Sequence, residues 1–91
     1  MRKVRMNVQG RVQGVGFRYM TKMVADELGI HGTVQNEEDG SVSIESVGTD
    51  EKMNQFIQKI KDSPSLAGRV TYMDIQEDPL IEEHTTFKVT N

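Results

Sequence analysis

The sequence predicts an α+β fold, one antiparallel sheet with two helices packed on one face, and three observations carry that expectation. The apolar period changes along the chain between two, as in half-buried strands, and close to 3.6, as in helices facing a core. The segments so marked fall in the order strand, helix, strand, strand, helix, strand, with a short final strand after them. Ninety-one residues, 35% of them hydrophobic, suffice for one small core but not for two, so residues 1–91 are expected to form one domain.

Val4, Met6 and Val8 alternate with Lys3, Arg5, Asn7 and Gln9, which predicts a first strand buried on one face and ended by Gly10. Phe17, Met20, Val24 and Leu28 recur at spacings of 3, 4 and 4, a helical stripe that Gly29 is placed to terminate. Residues 32–36 read as a short strand, and Glu37-Glu38-Asp39-Gly40 carries the Asp-Gly signal of a hairpin turn. Residues 41–45 return as its partner, with Val42 and Ile44 on one face. Gly48-Thr49-Asp50 opens a second helix with either Thr49 or Asp50 as N-cap; its stripe is Met53, Phe56, Ile57 and Ile60, and Asp62-Ser63-Pro64 stops it. Residues 70–76 predict a fourth strand whose faces divide less cleanly, and residues 86–89 a short apolar alternation. One sheet with both helices on a single face buries these stripes most simply, which is the ferredoxin-like βαββαβ sandwich. Right-handed crossovers then place the first and third strands centrally, with the first helix starting where the first strand finishes.

Composition excludes several classes of function. Eleven basic and 14 acidic residues give a net charge of −3, the wrong sign for a general nucleic-acid binder. No apolar run approaches the ~18 residues of a membrane span, so no membrane partner is expected. The basic N-terminus leads into alternation, not into an apolar signal region. Cysteine is absent, which removes disulfides, thiolate nucleophiles and cysteine-ligated zinc, and fits a cytoplasmic location. The charge is uneven: Arg2, Lys3, Arg5, Arg11, Arg18 and Lys22 precede any acid, and every carboxylate lies at Asp26 or later. This is either a solvated surface or a local positive field for a small anion.

The stretch from Gly10 to Arg18 joins the first strand to the first helix with three glycines, two arginines and no acid. Glycines let successive N–H groups converge, and a helix N-terminus adds unpaired donors and a positive dipole end. The stretch can cradle a phosphate, with Arg18 folding back over it, or it can be a glycine-rich turn with Arg18 solvated. No Gly-Lys-Ser/Thr is present, so it is not a Walker A loop, and Tyr19 stands where a dinucleotide fingerprint needs a small residue. Asn36 is an ordinary polar residue of a hairpin or, sharing strand parity with Val34 and so facing the helix side, a neutral amide able to hold a water without repelling a dianion. His31 is expected to face solvent or cap the helix end, His84 to sit in an exposed loop, Asp39 to serve the turn, and Glu37 and Glu38 to solubilise the hairpin tip. No metal-ligand spacing and no nucleophile–base set is present, so an enzyme on this chain would work without a protein nucleophile, a metal or an acidic base.

Residues 10–18 match the acylphosphatase signature Gly-x-Val-Gln-Gly-Val-x-Phe-Arg at each fixed position, and residues 32–36 match its second motif, Gly-x-Val-x-Asn. Asp39-Gly40-Ser41-Val42, Gly48 and the helix residues Ala25, Leu28 and Gly29 also fit, so the chain resembles this family over nearly its whole length. The resemblance implies a ferredoxin-like fold and hydrolysis of the carboxyl-phosphate bond of small-molecule acyl phosphates. It implies catalytic roles for Arg18 and Asn36, a phosphate cradle from the backbone of Gln13, Gly14, Val15, Gly16 and Phe17, no metal or other cofactor, and a monomer. The chain departs from the family at Thr33, where an aromatic residue is usual, which bears on packing, and at Gly16, where bulkier residues occur, which favours a mobile loop. Two other readings compete. A non-catalytic ferredoxin-like binding module would need neither Arg18 nor Asn36, and an RNA-recognition module would need stacked aromatics that the central strands lack. A third, a domain of a larger hydrogenase-maturation carbamoyltransferase, would bring cysteine-rich zinc segments.

Overall fold

The computed structural model describes residues 1–91. Seven elements follow one another: β1 Arg2–Arg11, α1 Phe17–Leu28, β2 His31–Asn36, β3 Val42–Gly48, α2 Asp50–Lys61, β4 Arg69–Glu77 and β5 Phe87–Thr90. β1 to β4 form the expected antiparallel sheet in the order β4-β1-β3-β2, with β1 and β3 central. β5 joins the outer edge of β2 in parallel, so the complete five-stranded sheet is mixed. Both helices cover the face that carries Val4, Met6, Val8, Val34, Val42 and Ile44, all at most 1% exposed. Phe56 of α2 meets Phe87 of β5 edge to face at 6.0 Å, tying the far edge into the core.

Gly10 does not end β1. The strand runs on to Arg11, and the register with β4 slips at Gly10: Gln9 faces Tyr72, but Gly10 faces Val70. Thr71 is the extra residue of a β-bulge. A Cβ on Gly10, at φ 131°, would run into the Arg69 carbonyl, so glycine is needed for the close approach. The bulge also accounts for the uneven faces of β4. Met73 and Ile75 face the core at the ordinary spacing, and Val70 rejoins that side three residues before Met73 instead of two.

The buried line of α1 is Phe17, Thr21 and Ala25, with Met20, Val24 and Leu28 only half-buried beside it. Small residues at the closest approach let the helix lie near the sheet, and the larger ones fill its flanks. Gly29, left-handed at φ 71°, closes the helix by donating to Ala25 and Asp26 carbonyls. His31 therefore caps nothing; it is the first residue of β2, opposite Val47. Of the two possible caps of α2, Thr49 is the one used, its hydroxyl accepting the Lys52 N–H at 3.4 Å.

β4 and β5 lie at opposite edges, so residues 78–86 must cross the helix-free face of the sheet. Charged side chains pin them there. Arg5 lies between Glu45 at 3.0 Å and Asp78 at 3.1 Å, and Lys3 reaches Glu83 at 3.6 Å. His84 is not a free loop residue: its side chain is 14% exposed and its Nε2 lies 3.0 Å from Glu45 Oε1. Burial pushes the Glu45 carboxyl up, but hydrogen bonds from His84 and Arg5 outweigh it and hold the group below its ordinary value. The backbone N–H of Leu80, and then Arg5, hold Asp78 low as well.

Candidate active site

Strand register brings the two motifs to one end of the sheet. Val42 pairs with Val8 on one side and with Asn36 on the other, so the end of β2 and the start of β3 lie level with Val8 of β1, which runs on to Arg11. Directly opposed residues share a face, and Val8 and Val42 are fully buried under the helices. Asn36 therefore faces the helix side, as strand parity predicts. Beyond Arg11 the chain passes through residues 12–16 into α1.

The loop is built by its glycines. Gly14 and Gly16 adopt φ 75° and 77°, left-handed values, with open space where a Cβ would project. Their role is conformational, since a side chain would fit but the backbone would be strained. Gly16 is the N-cap residue of α1; no side chain caps the helix, and its first turn carries no acid. The leading N–H groups are thus left without a side-chain acceptor, and a positive dipole end faces the loop. Val12 and Phe17, each 1% exposed, anchor the two ends of the loop in the core.

Arg18 lies in the first turn of α1. Its Nη1 donates to the Thr90 carbonyl at 3.1 Å, which fixes the guanidinium at one corner and leaves its other N–H groups without a protein acceptor. The next residue in the chain, Asn91, accepts from the backbone N–H of Asn36 at 3.2 Å. Consecutive carbonyls at the end of β5 thus hold both Arg18 and Asn36. The side-chain Oδ1 of Asn36 is buried and has no hydrogen-bond partner in the protein. An acceptor in that state loses its hydration without replacement, a penalty of about 1–3 kcal/mol that a bound water or ligand would relieve.

Gln13, expected to contribute its backbone, also contributes a clamp. Its Nε2 donates to the carbonyls of Glu37 at 2.8 Å and Ser41 at 2.9 Å, joining the loop to the hairpin that follows Asn36. The hairpin is itself stiffened by Asp39, which accepts from the hydroxyl and backbone N–H of Ser41; these bonds hold its carboxyl below the ordinary value. Glu37 does more than solubilise the tip, since its carboxylate accepts from Gln35 at 2.8 Å. A groove of about 560 Å³ beside the hairpin is lined by Asn7, Asn36, Ser41 and three carboxylates. It carries no basic side chain, and its carboxylates repel a phosphate. Thr33 lies on the other face of β2, in a groove with Glu82 and His84, and so away from Asn36.

Three contacts escaped the sequence reading: the Thr90 carbonyl on Arg18, the Gln13 clamp, and a hydrogen bond from the Ser65 hydroxyl to the Val15 carbonyl. Each ends on a backbone carbonyl, which any residue offers, so no residue type signals it.

Comparison with known proteins bears on the chain as a whole. The family model for acylphosphatase matches residues 4–89. An acylphosphatase of Enterococcus faecalis is 72% identical over 89 residues, covering 98% of each chain. One from Lactobacillus johnsonii is 52% identical over 89 residues with the same coverage. The crystal structure of acylphosphatase from Bacillus subtilis is similar over the full length of both chains, with a TM-score of 0.95 and 36% identity.

Proposed function

The chain belongs to the acylphosphatase family, enzymes that hydrolyse acyl phosphates, and on that premise we propose that its chemistry is carried by Arg18, Asn36 and the backbone of residues 13–17. The substrate is a small-molecule acyl phosphate. In this reading the loop N–H groups and the free donors of the Arg18 guanidinium bind the equatorial phosphoryl oxygens, onto which charge spreads in a loose transition state. Asn36 Oδ1 accepts a hydrogen from the attacking water and holds it in line with the bond to the acyl oxygen. Water oxygen bonds to phosphorus, the phosphorus–acyl-oxygen bond breaks, and the carboxylate leaves with the bonding pair. The water's proton passes to a phosphoryl oxygen. A carboxylate is a good leaving group, so the step needs no general acid.

The observation that carries this assignment is the buried, unpartnered Oδ1 of Asn36, on a residue whose backbone N–H bonds to the carbonyl next to the one that Arg18 holds. We also propose that the enzyme needs no metal; no group of three His, Asp or Glu side chains is placed to hold a metal ion. We further propose a cytoplasmic monomer; the single-domain reading of residues 1–91 is supported by one apolar cluster running from Val4 to Phe87. Hydrolysis of a chromogenic aryl-acyl phosphate beside an aryl phosphate monoester tests the assignment. Turnover of the first and not the second is expected; equal turnover would remove the case for a site without a general acid.

A further inference from the structure

Residues 62–68, between α2 and β4, reach the cradle loop through Ser65, whose hydroxyl donates to the Val15 carbonyl. Ser65 is only 6% exposed. Its own carbonyl accepts from the Ser63 hydroxyl at 2.9 Å and from the Gly68 N–H at 3.1 Å, so its backbone is held from both sides. Ser63 adopts φ 61°, a left-handed conformation that a non-glycine residue keeps only where its surroundings hold it. Gly68 lies tight against the chain entering the loop: a Cβ there would stand 2.6 Å from Ser63 Oγ and 3.2 Å from the Arg11 carbonyl. The segment is a formed brace, and the Ser65 hydroxyl is its contact with the loop.

Val15 stands between Gly14 at φ 75° and Gly16 at φ 77°. The peptide unit joining Val15 to Gly16 is free to turn, because Gly16 accepts either sign of φ at little steric cost. In a planar trans peptide the C=O and the following N–H point in opposite directions. A Val15 carbonyl held on Ser65 therefore directs the Gly16 N–H away from the 62–68 segment.

We propose that Ser65 is a positioning residue that fixes the Gly16 N–H as a donor in the phosphate cradle. The inference rests on the reading of residues 13–17 as that cradle. Ser65 itself touches no substrate; it acts through one peptide plane. The Gly16 N–H would bind the phosphoryl group in both ground and transition states, so its loss should appear in KM and in phosphate affinity more than in kcat.

The test is an NMR titration with inorganic phosphate that follows the Gly16 amide in wild type, Ser65→Ala and Ser65→Thr, alongside kcat and KM for an aryl-acyl phosphate. The wild-type amide should shift and saturate. Ser65→Ala should raise both the phosphate Kd and KM about five- to tenfold, the effect of one lost hydrogen bond, with little change in kcat. Ser65→Thr keeps the hydroxyl and should restore both. A purely structural Ser65 would lower the melting temperature and leave phosphate Kd unchanged. Wild-type Kd and KM in a folded Ser65→Ala protein would overturn the inference and leave the cradle standing. A wild-type Gly16 amide unmoved by saturating phosphate would overturn the cradle and this inference with it.

Discussion

Replacing Arg18 by alanine should nearly abolish turnover and weaken phosphate binding while leaving the fold intact. The guanidinium has five N–H donors, and one Nη1 bond goes to the Thr90 carbonyl. The rest suffice for a forked, bidentate grip on two phosphoryl oxygens, with the Thr90 bond setting its plane. Charge grows on those oxygens in the transition state, so the interaction strengthens as the reaction proceeds. Loss of one preorganised donor costs roughly 3–4 kcal/mol, or about 10²–10³ in rate, and a charged bidentate donor exceeds that. Arg18→Lys should recover only part of it. A lysine ammonium is a point charge without the fork, and it must divide its donors between Thr90 and the substrate. Stability should change little in either variant, since Arg18 is a charged, only half-buried side chain outside the apolar core. Steady-state kinetics with circular dichroism decide the matter. A folded Arg18→Ala protein within tenfold of wild-type kcat/KM would refute the assignment of Arg18.

Three further outcomes are expected. Asn36→Ala should lower kcat on the order of 10²-fold with KM nearly unchanged, because in the proposed mechanism the side chain holds the water and not the phosphoryl group; a near-normal kcat would reduce Asn36 to a hairpin residue. Inorganic phosphate at 100 times its Kd should stabilise the protein by about 2.7 kcal/mol, which raises Tm on the order of 10–20 °C for a chain of this size, and melts in phosphate and chloride at matched ionic strength would show it. Glu45 is held below its ordinary value by His84 and Arg5, so its contribution to stability is complete above about pH 4.3 and is lost as pH falls through the depressed folded value. Glu45→Gln should therefore be less stable than wild type at neutral pH, with the gap closing on acidification; parallel Tm-against-pH curves would contradict this.

What was legible in the sequence was local. The Gly10-to-Arg18 loop could be read because the proposed anion cradle needs particular residue types at adjacent positions: glycines for left-handed turns, and an arginine in the first turn of the helix. Asn36 could be placed on the helix face because strand parity ties it to Val34. Gly10 was misread as a terminator, since its actual task depends on the partner strand, where Thr71 is the extra residue of a bulge. The only trace of that bulge in one dimension was the broken alternation between Val70 and Met73. The stripe of α1 was displaced for a related reason. Hydrophobicity marks the largest apolar side chains, whereas closest approach to a sheet selects small ones, here Thr21 and Ala25.

The supports of the site are a harder case, and the reason is chemical. A group that meets the reacting phosphoryl must have a definite charge, shape and donor count, so its identity is written in the sequence. A group that braces the site has only to donate one hydrogen to a backbone carbonyl, which serine, glutamine and arginine can all do. Ser65, the Gln13 amide and the Arg18–Thr90 contact act on carbonyls at distant sequence positions, and nothing near them in the chain announces it. His84 belongs with them: in isolation it follows two acids and looks solvated, yet the crossing segment sets it on Glu45. A glycine-rich loop needs such braces most, because the freedom that lets its N–H groups converge also lets them turn away. Much of the cradle's preorganisation is therefore expected to reside in residues that no signature contains.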